Sequence, residues 1–238
     1  MRIPVLLAGL FAVSTLVHAD PVFKPFEADY VLHKGSVKAA TSKIKLSVSG
    51  NQYEYSRQGS TAGLVSMFSS IAQQETSEFT LTAQGQIQVS EYHQQQTKGG
   101  KKTKKSTSIL FDWTKRIAVH TKKGQSHNVA LGDEALDPFA VELAMMRDLK
   151  KSHQLPTYSI VDSDKIVPYK FEILGEESVT TPAGTFTTLK IKRERENKKR
   201  TTYIWAAPKL GYLPVKVEHV EKDGSSFSSV LTRVSGLP

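Results

Sequence analysis

A chain of 238 residues without a single cysteine has no disulfides, thiolate metal sites or cysteine nucleophile, and no residue to carry the lipid of a lipoprotein. It is still long enough to bury a core without cross-links. Its 32 Lys and Arg outweigh 23 Asp and Glu, a formal charge of +9. In an exported protein that balance suits a solvated basic surface, or contact with anionic lipid, lipopolysaccharide or acidic polysaccharide rather than nucleic acid.

The N-terminus carries the strongest local signal. Arg2 supplies a positive charge, Ile3 to Val17 is almost wholly apolar, and Val17-His18-Ala19 has the small-residue ending of a signal-peptidase site. The run is shorter than the roughly 20 residues of a membrane span and is broken by Ser14-Thr15. Residues 1–19 therefore read as a signal peptide cleaved after Ala19. Residues 20–238 read as one β-rich periplasmic domain without a transmembrane anchor, with a charge of 31 − 23 = +8 once Arg2 is removed.

Period-two alternation dominates the rest of the chain. Phe26 to Leu32 opens as a strand. Ile44 to Val48 alternates, turns at Gly50-Asn51 and returns as Tyr53-Glu54-Tyr55. Glu78 to Leu81 and Gln86 to Val89 flank a Gln84-Gly85 turn, and Ser108 to Phe111 leads through Asp112-Trp113 to Arg116-Ile117-Ala118-Val119. The last third repeats this grammar. Tyr169 to Leu174 reads as a strand, Thr181-Pro182-Ala183-Gly184 as a turn and Phe186 to Ile191 as the return. A charged hairpin through Glu196-Asn197-Lys198-Lys199 leads to Thr201–Trp205. Val215 to Glu218, the Asp223-Gly224 turn and Ser229 to Thr232 complete the meander.

Two stretches break the pattern. Asp137-Pro138 offers a cap and a first-turn proline, after which Phe139, Leu143, Met146 and Leu149 fall at helical spacing up to Lys150-Lys151. Met145-Met146 fits core filling better than a ligand surface. Leu64 to Ala72 is a second, shorter helix candidate. These elements predict a mainly β fold class: a single curved antiparallel sheet or open barrel with one main helix packed on it.

Four stretches carry a family resemblance: Phe111-Asp112-Trp113; Asp137-Pro138-Phe139 through Met146-Arg147; Thr181-Pro182-Ala183-Gly184-Thr185-Phe186; and Tyr203-Ile204-Trp205 with Gly211-Tyr212-Leu213-Pro214-Val215. In order and spacing the chain resembles an exported proteobacterial family known only as a domain of unknown function, DUF3108. The resemblance implies a periplasmic β-protein and assigns no activity to particular residues. The build is also similar to the half-open barrels of periplasmic lipoprotein carriers, an analogy of fold alone.

Catalytic signatures are missing: there is no Gly-x-Ser-x-Gly elbow, Walker loop or His-Glu-x-x-His. No cofactor or metal is called for, and whether the protein is an enzyme stays open. His120 and His127 flank a turn at Lys123-Gly124 and could face each other, but two exposed strand residues is the simpler account. Asp112 and Asp133-Glu134 could serve acid–base work only if a cleft gathered them. Asp112 sits where a strand turns, and Asp137 is accounted for as a helix cap.

The basic clusters are more distinctive. Lys98-Gly99-Gly100-Lys101-Lys102-Thr103-Lys104-Lys105 reads as a lysine-rich hairpin tip. Lys190, Lys192, Arg193, Arg195, Lys198, Lys199 and Arg200 load a second hairpin. Candidate ligand-binding residues are Lys101, Lys102, Lys104 and Lys105, which would meet an anionic group, and Tyr203 and Trp205 on one strand face, for which core packing is the default. The expectation is a periplasmic binding protein for an amphipathic or anionic envelope ligand. The alternatives are an enzyme on anionic envelope polysaccharide and an envelope interaction protein without a small ligand.

Overall fold

The computed structural model describes residues 22–63, 66, 70–194 and 200–237; the proposed signal segment, residues 1–19, lies outside them. The first strands are β1 (Phe26–Lys34), β2 (Val37–Ser49), β3 (Gln52–Thr61), β4 (Ile71–Leu81), β5 (Ile87–Lys98), β6 (Lys101–Asp112), β7 (Ile117–Lys122) and β8 (Gln125–Ala130). The helix α1 (Ala140–Ser152) comes next. The remainder is β9 (Tyr158–Asp162), β10 (Lys165–Tyr169), β11 (Glu172–Thr181), β12 (Gly184–Glu194), β13 (Arg200–Ala207), β14 (Leu213–Glu221) and β15 (Ser226–Ser235).

Among the described residues thirteen strands form one antiparallel sheet in the order β11-β12-β13-β14-β15-β1-β2-β3-β4-β5-β6-β7-β8, and β9 and β10 form a separate two-stranded sheet, with Leu136 bridging to Ile160 on the other side of β9. Every hydrogen-bonded neighbour in the large sheet is also a neighbour in sequence, except where β15 meets β1. Hairpins therefore alternate between two ends. One end holds the connections after β1, β3, β5, β7, β12 and β14, and the other holds those after β2, β4, β6, β11 and β13.

β11 and β8 are opposite edges, so the sheet is open rather than a closed barrel. It is nonetheless curved. Ile71 and Gln73 of β4 line the same cavity as Arg193 of β12 and Thr202 of β13, although β14, β15, β1, β2 and β3 intervene.

Alternation explains the inner face. Phe26, Ala28 and Tyr30 of β1, Ile44 and Leu46 of β2, and Tyr53 and Tyr55 of β3 are buried, as are Ser77 and Phe79 of β4. The helix packs against this face with Leu143, Met145, Met146 and Leu149 buried, while Lys150 is exposed. Phe139, just before the helix, stacks on Tyr55 with ring centroids 4.1 Å apart. The helix N-cap is Phe139, without a side-chain cap, and Asp137 instead closes the turn ahead of it, its Oδ1 accepting the Phe139 and Ala140 N–H groups at 2.7 and 2.8 Å. The helix itself begins at Ala140, three residues after Asp137. Lys150 and Lys151 occupy its last turn, where cations suit the helix dipole.

Three further expectations need correction. Tyr169–Leu174 is not one strand: β10 ends at Tyr169 opposite Tyr158, and β11 starts at Glu172 opposite Lys192. Between them the chain changes partner sheet, and Phe171 leaves the edge to meet the Tyr158 ring, centroids 5.7 Å apart. His120 and His127 are opposed as the spacing allowed, but they are not both exposed. His120 is buried, and burial lowers its pKa, with Lys122 adding to the effect. Of the second helix candidate, residues 64–65 and 67–69 lie outside the described residues, while Ile71 and Ala72 open β4.

Candidate functional site

The inner side chains of β2 and β3 shrink along the strands. On β3 the series is Tyr53, Tyr55, Arg57, Gly59; on β2 it is Leu46, Ile44, Ser42, Ala40. Register sets the two series side by side, with Leu46 opposite Tyr55, Ile44 opposite Arg57 and Ser42 opposite Gly59. The large residues close one end of the curl. The small ones leave a cavity of about 450 Å³ at the other, within the usual range of small-molecule pockets.

The cavity wall is mostly apolar. Leu32, Ile44, Ile71, Val141, Met145 and Ile204 line it, and Phe171, Val217 and Phe227 continue it toward the opening. Gly59 contributes through what it lacks. A Cβ there would meet only ordinary contacts, at 3.5 Å from the Thr41 carbonyl oxygen and 3.6 Å from the Ser42 Cβ. Its hydrogen is thus space left open rather than a backbone requirement.

An ionic cluster forms the floor. Arg57 donates from Nη1 to Glu75 at 3.0 Å and from Nη2 to Glu142 at 3.2 Å. The Tyr55 hydroxyl donates to the other Glu142 oxygen at 2.6 Å, and the Tyr92 hydroxyl to the other Glu75 oxygen at 2.7 Å. Burial raises both phenol pKa values well above their usual range, and the adjacent carboxylates raise them further. Burial works against the Arg57 charge, yet Glu75 and Glu142 outweigh it and hold the guanidinium ionised. All four carboxylate oxygens are engaged, so the floor is a tied polar boundary between core and cavity.

Beside it, Asp137 is fully buried and accepts a 2.5 Å hydrogen bond from the Ser77 hydroxyl. Burial raises its pKa to about 6, against the opposing effect of its hydrogen bonds.

The sequence-predicted ligand residues lie elsewhere. Tyr203 and Trp205 do share a strand face, with centroids 6.2 Å apart. The cavity is lined by their neighbours Thr202 and Ile204, from the opposite face of β13. Trp205 is 3% exposed, too little for an open stacking platform. Lys216 Nζ lies 4.2 Å from its ring centroid and Lys190 Nζ 5.1 Å. The Trp205 Nε1 has no partner at hydrogen-bonding geometry, although the nearby Glu177 carboxylate is held below its usual pKa range, chiefly by Lys190 and then by this indole.

Lys101 is exposed beside the Gly99-Gly100 turn, where φ values of 57° and 75° suit glycine. Lys102, Lys104 and Lys105 lie on β6, and their side chains are outside the described set. This hairpin stands at the cavity end of the sheet, because Lys98 pairs with the lining residue Ile71. The second basic hairpin turns at the same end. Its residues 195–199 are outside the described set, and Arg193 on its first strand lines the cavity.

Other acid candidates have structural partners. Asp112 accepts the Lys115 backbone N–H at 2.9 Å and pairs with the Lys115 ammonium at 3.0 Å. Asp133 pairs with Arg116 at 2.9 Å, and Glu134 accepts from Gln86. Arg57, Glu75 and Glu142 had no motif to mark them. The available signal was parity, since Arg57 lies two residues beyond Tyr55 on the same strand face. Among the described residues no cluster of three or more His, Asp or Glu could hold a metal ion, and no helix is long and apolar enough to cross a membrane.

A profile of the family described as "Protein of unknown function (DUF3108)" matches residues 26–232. Curated proteins give no match. Among solved structures, the chain is similar to a β-barrel-like protein of domain of unknown function DUF1849 from Brucella abortus. Identity is 10%, coverage 89% of this chain and 97% of that one, and the TM-score 0.57. A lipoprotein candidate from Parabacteroides distasonis aligns at 14% identity over 90% and 97% of the two chains, with TM-score 0.38. An exported-protein candidate with a YmcC-like fold from Bacteroides fragilis aligns at 12% identity over 90% and 97%, with TM-score 0.34. The fold likeness rests on the first of these.

Proposed function

The chain belongs to the DUF3108 family, whose function is unknown, and from that premise we propose that it is an exported, periplasmic binding module for an amphipathic envelope ligand. The carrying observation is the cavity: about 450 Å³, walled mainly by aliphatic and aromatic side chains. It opens at the sheet end that also carries the two basic hairpins. Apolar ligand surface leaving water for such a wall gains about 25 cal/mol per Å². Export is supported by the Arg2, Ile3–Val17 and Ala19 pattern.

Native mass spectrometry of protein recovered from periplasm tests this reading. A co-purifying amphiphile is expected, and Gly59→Leu, which fills the cavity from the open-end part of β3, should release it. Equal loading of parent and variant would place any bound ligand outside the cavity and defeat the reading.

An envelope interaction role has one observation in its favour. The edge strand β11 exposes Ile173 and Leu174 side by side, at 37% and 45%, and an open edge can pair with another strand. Ile173→Lys should then abolish capture of a partner while leaving amphiphile binding intact. The enzymatic reading draws less support, because the floor carboxylates are engaged with Arg57 and the two tyrosines.

A further inference from the structure

At the cavity mouth, strand register builds a cross-sheet rank of side chains. Arg193 of β12 is opposite Thr202 of β13, and Thr202 is opposite His219 of β14. His219 is opposite Phe227 of β15, and Phe227 is opposite Lys34 of β1. Arg193, Thr202, His219 and Phe227 all line the cavity. Lys34 Nζ lies 5.6 Å from the Phe227 ring centroid. The Arg193 guanidinium carbon lies 3.4 Å from the Tyr169 ring centroid, and Thr202 Oγ1 is 2.8 Å from His219 Nδ1. Two cations thus flank a histidine and a threonine hydroxyl along one inner rim. Phe227, at 40% exposed, marks where the apolar wall reaches solvent.

The floor has the opposite sign. Glu75 and Glu142 outnumber Arg57 there, and Asp137 lies behind them. An anionic group driven to the floor would meet carboxylates already holding the guanidinium. At the rim it would meet Arg193 and Lys34. Six residues of β1 separate Lys34 from Ala28, which shares the cross-strand row of Ile44 and Arg57. At about 3.4 Å per residue the rim stands roughly 20 Å above the floor. The cavity volume suits one drug-sized apolar body rather than two chains side by side.

The geometry points to a head-out, single-chain amphiphile: one hydrocarbon chain between α1 and the small-residue wall of β2 and β3, with an anionic head, phosphate or carboxylate, held at the rim by Arg193 and Lys34 across His219. This rests on the proposed cavity binding and adds the ligand's chain number, charge and direction.

The test measures binding of 1-palmitoyl-lysophosphatidylglycerol, neutral monopalmitoylglycerol, two-chain dipalmitoyl-phosphatidylglycerol and inorganic phosphate by native mass spectrometry and calorimetry. The anionic single-chain lipid should bind at least about tenfold tighter than the neutral one, the size of one charge-assisted contact. The two-chain lipid and free phosphate should bind at least about tenfold more weakly than it. Lys34→Gln with Arg193→Gln should erase the preference, so that the anionic and neutral single-chain lipids bind this variant with equal affinity. Arg193→Lys should keep most of it, and melting curves of each variant check the fold.

Equal affinity for the charged and neutral lipids in the parent, or an undiminished preference in the double variant, would overturn the rim assignment. The cavity reading would survive if Gly59→Leu still abolished binding of both. Two-chain binding as tight as single-chain binding would overturn the chain number, and phosphate binding as tight as the lipid would overturn the amphiphile. If neither single-chain lipid binds the parent, or Gly59→Leu binds both unchanged, the cavity reading falls as well.

Discussion

The two ends of the curled sheet use the same alternation to opposite effect. At one end the inner positions hold Phe23, Tyr53 and Phe79, with Tyr53 and Phe79 stacked at 5.0 Å and Phe23 edge-on to both. At the other end the inner positions of β2 and β3 hold Ser42, Ala40 and Gly59, and a cavity remains. Backbone pairing is continuous through both, since Ser49↔Gln52 and Ala40↔Thr61 belong to one ladder. Side-chain volume, not strand geometry, therefore decides where this sheet is a core and where it is a container. Ion pairs occur at both ends: Arg200 with Glu221 at the cavity end, and Asp112 with Lys115 and Arg116 with Asp133 at the closed end.

The difference between the ends is lost most completely if the helix between them is lost. Leu143 is fully buried, so Leu143→Asp leaves a charge without a partner and should cost about 4 kcal/mol or more. Lys150→Ala, on the exposed side of the helix, should shift the melting temperature little. Equal small shifts would mean that the helix does not hold the curl together.

Helix and curved sheet were legible because they rest on periodicity, which is local. Leu143, Met146 and Leu149 fall on one helical face, and Phe26, Ala28 and Tyr30 on one strand face, from spacing alone. The β9–β10 hairpin was not legible. Its strands are five residues each, and β9 is also held from outside the hairpin, by the Tyr158 hydroxyl bond to Asp148 at 2.9 Å and by the Leu136–Ile160 bridge. The cavity was hidden for a related reason. No motif marks Gly59 or Ser42, and only register sets them opposite each other, while Tyr203 and Trp205 drew attention that belonged to Thr202 and Ile204 one position away.

The next effect comes from the boundary between the ends. Folding raises the Asp137 pKa from 3.8 to about 6, so the folded protein holds this proton more tightly than the unfolded chain does. The stability it contributes is full below about pH 4 and is lost as pH rises through 6, on the order of 3 kcal/mol at 1.36 kcal/mol per pKa unit. Asp137→Asn should flatten denaturant midpoints between pH 4 and pH 6. A slope unchanged in the variant would assign it to other groups.

A smaller effect is expected where space is already free. Gly59→Leu should change stability by less than about 1.5 kcal/mol, since the new side chain enters a cavity rather than a packed core. Tyr53→Ala, on the same strand at the closed end, should cost about 3–4 kcal/mol by leaving a hole. Similar losses from both would remove the distinction between container and core.

The smallest effect concerns the lysine hairpin at the open end. Each lysine near an anionic surface contributes about 1 kcal/mol, so four give roughly millimolar binding. Replacing Lys101, Lys102, Lys104 and Lys105 by Gln should abolish the salt-sensitive part of binding to anionic vesicles and leave the melting temperature unchanged. Retention of that binding at low salt would mark the hairpin as solvated surface and shift attention to the hairpin around Arg193 and Arg200.

The pairing of β15 with β1 has a consequence for the order in which this protein assembles. Val31 lies opposite Val230, whereas every other pairing in the large sheet joins strands adjacent in the chain. Two meanders, β1 to β8 and β11 to β15, can form from local hairpins. The contact joining them waits for a loop closure spanning most of the chain, an entropically late step. Until then β1 is an open edge able to pair with another molecule. The cavity draws its walls from both meanders, Ile44 and Gly59 on one side and Ile204 and Val217 on the other. A chain halted short of Ser226 would thus retain most of its hairpins and still have no container, so binding capacity should appear in refolding only with the last strand.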